Sequence, residues 1–200
     1  MNNGLIEIGI DEVGRGPVAG PVVLCAFAIT PTFDRTLLTG IRDSKKLSAK
    51  KREEWDRKLR EWSTVGSCSF TLAERTASFI DEKGIAVAIR ECVAELLATI
   101  APRPEKVFVR MDGSLHAPEK YLNQETIIKG DDLIPVISAA SIIAKVYRDA
   151  FMTAQDSQYP GYGLSGHKGY GTSAHLDAIR QKGITPLHRA SFLGNTLKNK

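Results

Sequence analysis

Three apolar runs of this chain each lead into acids. "IEIGIDE" ends on Asp11 and Glu12, "KVFVRMD" on Asp112, and "ETIIKGDD" on Asp131 and Asp132. In an α/β sheet the carboxyl ends of parallel strands share one edge, and sites form there. If the first and fourth strands are neighbours, Asp11 and Asp112 come within several ångströms of each other. Like charges that close raise each other's pKa unless a cation sits between them. Oxygen-only ligands select hard cations, Mg²⁺ or Mn²⁺, which keep waters and bind a substrate phosphate as well. A single strand-terminal acid is ordinary turn chemistry; three after three apolar strands point towards a metal site. Asp132 and Asp149 are also present, so acid count alone does not choose the ligands.

The acids run straight into "GRGPVAG", whose glycines are spaced GxGxxxG. The dinucleotide fingerprint is one residue shorter and must open a helix. Here Pro17 and Pro21 lead into "VVLCAFAI", a strand, so no helix N-terminus is available for a pyrophosphate. What survives is a backbone that can approach a ligand closely at Gly14 and Gly16, with the Arg15 guanidinium between them. Such a turn suits one nucleotide of a polymer, since amides and carbonyls reach sugar and phosphate alike. The plain alternative is a hairpin turn with a solvated arginine.

The elements that must hold these residues are legible in outline. Residues 5–10, 20–29 and 65–72 read as strands rich in Ile and Val. A helix follows Ser48, a plausible N-cap, with Trp55, Leu59 and Trp62 on one face. A second helix is expected over roughly 82–101, where Ile85, Ile89, Cys92, Val93, Leu96 and Ile100 keep the helical period. "KVFVRMDG" (106–113) is a short buried strand, and 125–132 repeats its form. "PVISAASIIAKVYRDAFMTAQ" is a helix of small residues that permits close approach to a sheet. A Gly/Tyr/His loop at 159–171 and a helix at about 172–182 precede an irregular tail. The order implies a mixed sheet, with a three-strand meander and later strands added in parallel through helical crossovers.

The chain has 200 residues, 42% hydrophobic and 25% charged, which suits one globular domain with a small C-terminal appendage. A net charge of +4 leans towards polyanionic partners but decides nothing alone. Cys25, Cys68 and Cys92 form no CxxC pair, and each lies in an apolar run, as buried free thiols of a reducing compartment do. No apolar run is long enough to span a membrane and no leader is evident, so a cytoplasmic location is expected. His116, His167, His175 and His188 match no zinc spacing.

"GIDEVGRGPVAGPVV" closely resembles the first block of ribonuclease HII, the type 2 ribonuclease H family. The likeness continues through "DSKKLSAKKRE", "MDG", "KGDDLIPVISAASIIAKVYRD", "HKGYGTSAHLDAI" and "PLHRASF", in the family's order. The resemblance implies a ribonuclease-H-like α/β fold: a mixed five-stranded sheet flanked by helices, with a small helical C-terminal region. It divides the chain into a catalytic core over 1–157 and a loop–helix region over 158–200 that completes the substrate site. It implies an endoribonuclease acting on RNA–DNA hybrids and at single ribonucleotides in duplex DNA, with two Mg²⁺ or Mn²⁺ ions and no obligate protein partner, so a monomer is expected.

Carried over residue by residue, the family's acidic quartet falls on Asp11, Glu12, Asp112 and Asp131. Asp131 is chosen over Asp132 because it directly follows "KG". The ribose-sensing motif falls on Gly14, Arg15 and Gly16, and its partner tyrosine on Tyr170. Lys45 and Lys46 match a block resembling a substrate-backbone contact. Ser141, Lys145 and Arg148 have helical spacing suited to phosphate contacts, although packing and solvation explain them nearly as well. Two rivals stand beside this reading: a nuclease of the same fold indifferent to the 2′-hydroxyl, and a nucleic-acid-binding module that never turns over.

Overall fold

The computed structural model describes residues 4–194. Strands β1 (Ile6–Val13), β2 (Val22–Ile29) and β3 (Cys68–Arg75) form an antiparallel meander. β4 (Val107–Asp112) adds parallel to β1, and β5 (Gln124–Ile127) parallel to β4, giving the order β3-β2-β1-β4-β5. This is the expected mixed five-stranded sheet. Helices α1 (Ala49–Thr64), α2 (Ala77–Lys83), α3 (Ile85–Ile100), α4 (Gly130–Leu133), α5 (Pro135–Gln158), α6 (Leu164–His167) and α7 (Ser173–Lys182) surround it.

β2 explains the layering. Every residue of VVLCAFAI is buried, so the strand has no polar face. Val22, Leu24 and Ala26 join Ile89, Val93 and Leu97 of α3 on one side of the sheet. Val23, Cys25 and Phe27 join Trp55 and Leu59 of α1 and Ala139, Ala140 and Ile143 of α5 on the other. Ser48 caps α1 as expected, accepting from the Lys51 amide at 3.3 Å. All three cysteines are buried and free. No helix among the described residues is long and apolar enough to cross a membrane.

Two expectations change. The helix expected over 82–101 is broken at Gly84, whose φ of 84° ends α2 and lets α3 start at Ile85. The residues from Ile85 onward keep the helical period because α3 alone packs on the sheet; the break turns α2 aside. The β4–β5 connection is not helical. Residues 113–123 are irregular, and Leu115, Ala117 and Tyr121 bury themselves in the α3-side core where a crossover helix would otherwise pack.

α5 lies directly on β1. A Cβ on Gly9 would sit 2.2 Å from the backbone carbonyl carbon of Val136, so only glycine admits the helix at that depth. Beyond α5, Tyr162, Leu164, Ile179 and Leu193 gather a third apolar cluster around Ala19 and Met152.

Candidate active site

β1 outruns its parallel neighbour. Its pairing with β4 ends at Ile10↔Met111, while its pairing with β2 continues to Val13. Asp11 and Glu12 therefore lie within the strand, not after it, on a stretch whose β4 side is open. Strand alternation sends Asp11 to the α5 face and Glu12 to the other. Asp112 is the last residue of β4 and falls on the same side as Asp11, since Met111 belongs to the opposite core.

Asp131 arrives differently from expectation. β5 stops at Ile127, Lys129 takes a left-handed turn with φ 59°, and Asp131 sits in the one-turn helix α4. A turn rather than a strand end places it, because the chain must reverse over Gly130 to enter α5; a Cβ on Gly130 would lie 2.7 Å from Ile137 Cδ1. The Asp131 amide donates to Asp112 Oδ1 at 3.3 Å. Its neighbour Asp132 turns away and is held by the Lys46 ammonium at 2.6 Å.

The electrostatics are those of crowded carboxylates. Burial pushes the Asp11 carboxyl well above the usual range, and Glu12 and Asp112 add to it, while Ser141 offsets part. Burial also raises Glu12, opposed by Arg15 and assisted by Asp112. Asp131 is raised by burial, then by Asp112 and Asp43, against Lys45. The Lys45 ammonium lies 3.7 Å from Asp131 Oδ2, and its own pKa is raised despite burial because Asp131, Asp11, Asp43 and Asp112 face it.

Among the described residues no three metal-ligating side chains converge closely enough to enclose an ion by themselves. The donor set nevertheless fits a hard divalent cation. Its groups are all carboxylate oxygens, Glu12 Oε2 is buried without a hydrogen-bond partner, and an ammonium already stands among the acids. Glu12 and Asp112 are only partly buried, which leaves water and phosphate oxygens a way to complete a coordination shell.

The two glycines of the turn differ. Gly14 has φ 87°, and a Cβ there would lie 2.2 Å from Arg148 Nε, so the fold itself requires glycine. Gly16 has no such φ and nothing within 4 Å of a Cβ, so its open side faces outward. Arg15 reaches Glu12 Oε1 and Ser114 Oγ, each at 3.5 Å. A cleft of about 430 Å³ on the α3 side shares Arg15 and Ser114 with this site but none of the four carboxylates.

Tyr170 is half-exposed beside the turn. The Gly169 carbonyl accepts from the amides of Val18 and Ala19 at 3.0 and 3.2 Å, which lays the Tyr170 segment along the turn's far end.

Other candidates are placed elsewhere. Arg148 is fully buried, and its guanidinium donates to the carbonyls of Pro21, Ala19 and Lys168 at 2.9 to 3.0 Å, so it is not free for phosphate. Ser141 is buried against Ser44 at 2.9 Å, and Lys145 pairs with Asp149 at 2.8 Å. The spacing that suggested phosphate contacts is that of residues facing the core and one intrahelical ion pair. Missed altogether was Arg189, which is fully buried and donates to the carbonyls of Gly14, Arg15 and Gly20. Its one signal was a His-Arg pair inside the small, apolar block "PLHRASF".

Comparison with known proteins identifies the family. The family model for ribonuclease HII matches residues 8–195. A ribonuclease HII of Coxiella burnetii is 43% identical over 189 residues, spanning 94% of this chain and 88% of that protein. One from Synechococcus is 42% identical over 195 residues, spanning 97% and 94%. A solved chain of the PCNA:RNase HII complex from Archaeoglobus fulgidus aligns with a TM-score of 0.75 at 27% identity, covering 93% of this chain and 94% of that one. With the match running through every segment that builds the site, this chain belongs to the ribonuclease HII family, the metal-dependent hydrolases that act on the RNA of RNA–DNA hybrids.

Proposed function

We propose that the protein incises RNA–DNA hybrids, and duplex DNA on the 5′ side of a single embedded ribonucleotide, leaving a 5′-phosphate and a 3′-hydroxyl. The observation that carries this reading is the covalent continuity of acids and turn. Asp11-Glu12 and Gly14-Arg15-Gly16 are separated only by Val13, so the cut phosphate and the inspected sugar must be near neighbours on one strand.

In this reading Asp11, Glu12, Asp112 and Asp131 hold two Mg²⁺ or Mn²⁺ ions. Held by these four carboxylates, such ions would supply an acidified water and charge compensation for a departing 3′ oxygen. The chain's own groups do the rest. Lys45 balances Asp131 until substrate arrives and then lies beside the strand's phosphates, with Lys46 next to it. The outward face of Gly16 admits a sugar closely, and the Gly14–Gly16 backbone with Tyr170 distinguishes a 2′-hydroxyl from hydrogen. The loop–helix region from residue 158 to 194 completes the substrate site through Tyr170; the rest of the expected 158–200 region lies outside the described residues. Burial first, and then neighbouring charge, makes Asp11, Glu12 and Asp131 reluctant to ionise, so metal uptake would displace protons and weaken as pH falls.

The test is gel mapping of cuts on three duplexes: all DNA, one ribonucleotide, and RNA–DNA hybrid. Cleavage at the 5′ side of the ribonucleotide with no cutting of all-DNA duplex is expected. Gly16→Val should slow this cleavage by on the order of 100-fold with little loss of thermal stability, since its side chain meets only ligand. Comparable cutting of all-DNA duplex, or full activity in Gly16→Val, would leave a nuclease of the same fold that ignores the sugar.

A further inference from the structure

The glycine turn and Tyr170 come from opposite ends of the chain, and their relative placement has to be held by something. Residues 187–189 lie along residues 18–20. The Gly20 amide donates to the Leu187 carbonyl and the Arg189 amide to the Val18 carbonyl, each at 2.8 Å, around a bridge between Ala19 and His188. From this backbone seat two consecutive side chains reach in different directions.

Arg189 reaches the turn. Its Nε donates to the Gly20 carbonyl at 2.9 Å, Nη1 to Arg15 at 3.1 Å and Nη2 to Gly14 at 2.6 Å. A planar fork with fixed donor directions sets the orientation of all three peptide units at once; an ammonium could not.

His188 reaches Tyr170 through a second histidine. Its Nδ1 accepts from the Thr185 amide at 2.9 Å, which leaves its hydrogen on Nε2. That Nε2–H faces His175 Nε2 at 3.1 Å, so His175 must accept there and carry its hydrogen on Nδ1. His175 Nδ1–H in turn donates to the Tyr170 carbonyl at 2.9 Å. One neutral tautomer of each ring satisfies every bond, and both rings are buried. Around them, His167 stacks on His175 at 4.1 Å, the Tyr162 ring lies 5.1 Å from His188, and Asp81 lines the same surface cleft as His188.

We propose that His188 and Arg189 are positioning residues that set the glycine turn and Tyr170 at one fixed separation, so that ribonucleotide recognition depends on a dipeptide touching neither substrate nor metal. This rests on the reading of the turn and Tyr170 as the sugar sensor. The carboxylates are placed by β1, β4 and α4, apart from this device, and Arg148 independently ties Ala19, Pro21 and Lys168 together. Loss of the dipeptide's bonds should therefore loosen the sensor while the metal site and fold persist.

The experiment is steady-state kinetics on the single-ribonucleotide duplex for Arg189→Lys, His188→Phe and His188→Gln, each alone and combined with Tyr170→Ala. Arg189→Lys and His188→Phe should lower kcat on the order of 10- to 100-fold with KM changed far less. His188→Gln, which keeps an N–H towards His175, should recover most of the rate. In the Tyr170→Ala background, His188→Phe should cost nothing further, because a residue acting through Tyr170 has nothing left to position. Full additivity with Tyr170→Ala, or wild-type kcat in both Arg189→Lys and His188→Phe, overturns the proposal while leaving the sensor reading intact. Wild-type kcat in Tyr170→Ala alone overturns both. Should His188→Phe fail to fold, Arg189→Lys with and without Tyr170→Ala carries the same comparison.

Discussion

Asp11 shows most directly what a buried carboxyl of the proposed site costs in stability. Its folded carboxyl is raised well above the ordinary 3.8, chiefly by burial. A raised carboxyl pKa gives stability that is fully present below the unfolded value and lost as pH rises through the folded one. The metal-free protein therefore carries a cost at neutral pH that divalent ions held there, as proposed, would relieve. Calorimetry should show Asp11→Asn melting higher than wild type without metal, and Mg²⁺ raising the wild-type transition but scarcely the variant's. Its turnover should fall below a hundredth of wild type, roughly 2.7 kcal/mol of barrier. A lower metal-free melting point with more activity than that would remove Asp11 from the ion's ligands. His188 behaves oppositely. Burial first, then His175, holds it down to about 4 from the ordinary 6.5. Between those values the unfolded chain binds a proton that the folded chain refuses, so stability should fall as pH drops from 6.5 to about 4 and level off below. Urea unfolding across that range should show a shallower slope in His188→Gln.

At the scale of elements, the site depends on how closely α5 approaches β1. Gly9 permits that approach, and Ser141 of the same helix faces Asp11. Gly9→Ala must push α5 off the sheet, at a cost at the top of the usual overpacking range of about 1–3 kcal/mol or beyond it. Activity should drop with stability, since Asp11 loses its wall. Gly84→Ala makes the contrast: nothing stands within 4 Å of its Cβ, and only the left-handed φ opposes it. That change should cost about 1–3 kcal/mol and leave turnover of the folded fraction unchanged. Equal unfolding midpoints for the two variants would contradict the packing account. The break at Gly84 also illustrates what periodicity conceals. Apolar spacing marks a face that packs, and α3 alone packs flat on the sheet, so the pattern is silent about the turn that sets α2 aside.

For the whole molecule, the modest net charge of +4 matters less than where the surface lysines lie. Lys45 and Lys46 precede α1, and Lys168 shares a cleft with Arg52 and Thr153 on the same side. Lys46 is paired with Asp132 at 2.6 Å. Lys45→Ala and Lys168→Ala should each flatten the salt dependence of duplex binding by about one unit of log–log slope, and Lys46→Ala by less. A change confined to ribonucleotide discrimination would move these lysines to readout.

By itself the sequence determined the strands, the helix of small residues, the acids after apolar runs and the rejection of a dinucleotide loop. Each of these is local: periodicity, turn chemistry and side-chain size are written within a few residues of where they act. The family resemblance added the quartet and the Tyr170 pairing. Only the tertiary structure decided that β1 outruns β4, that Asp131 comes from a turn, and that Asp132 faces away. It alone showed Arg148 and Arg189 turned inward on backbone carbonyls, because a guanidinium reads the same in sequence whether its partners are phosphates or peptides. Partners separated by more than a hundred residues leave no local signal, and Arg189 meets Gly14 only after the sheet has closed over α5 and the tail has returned along the turn.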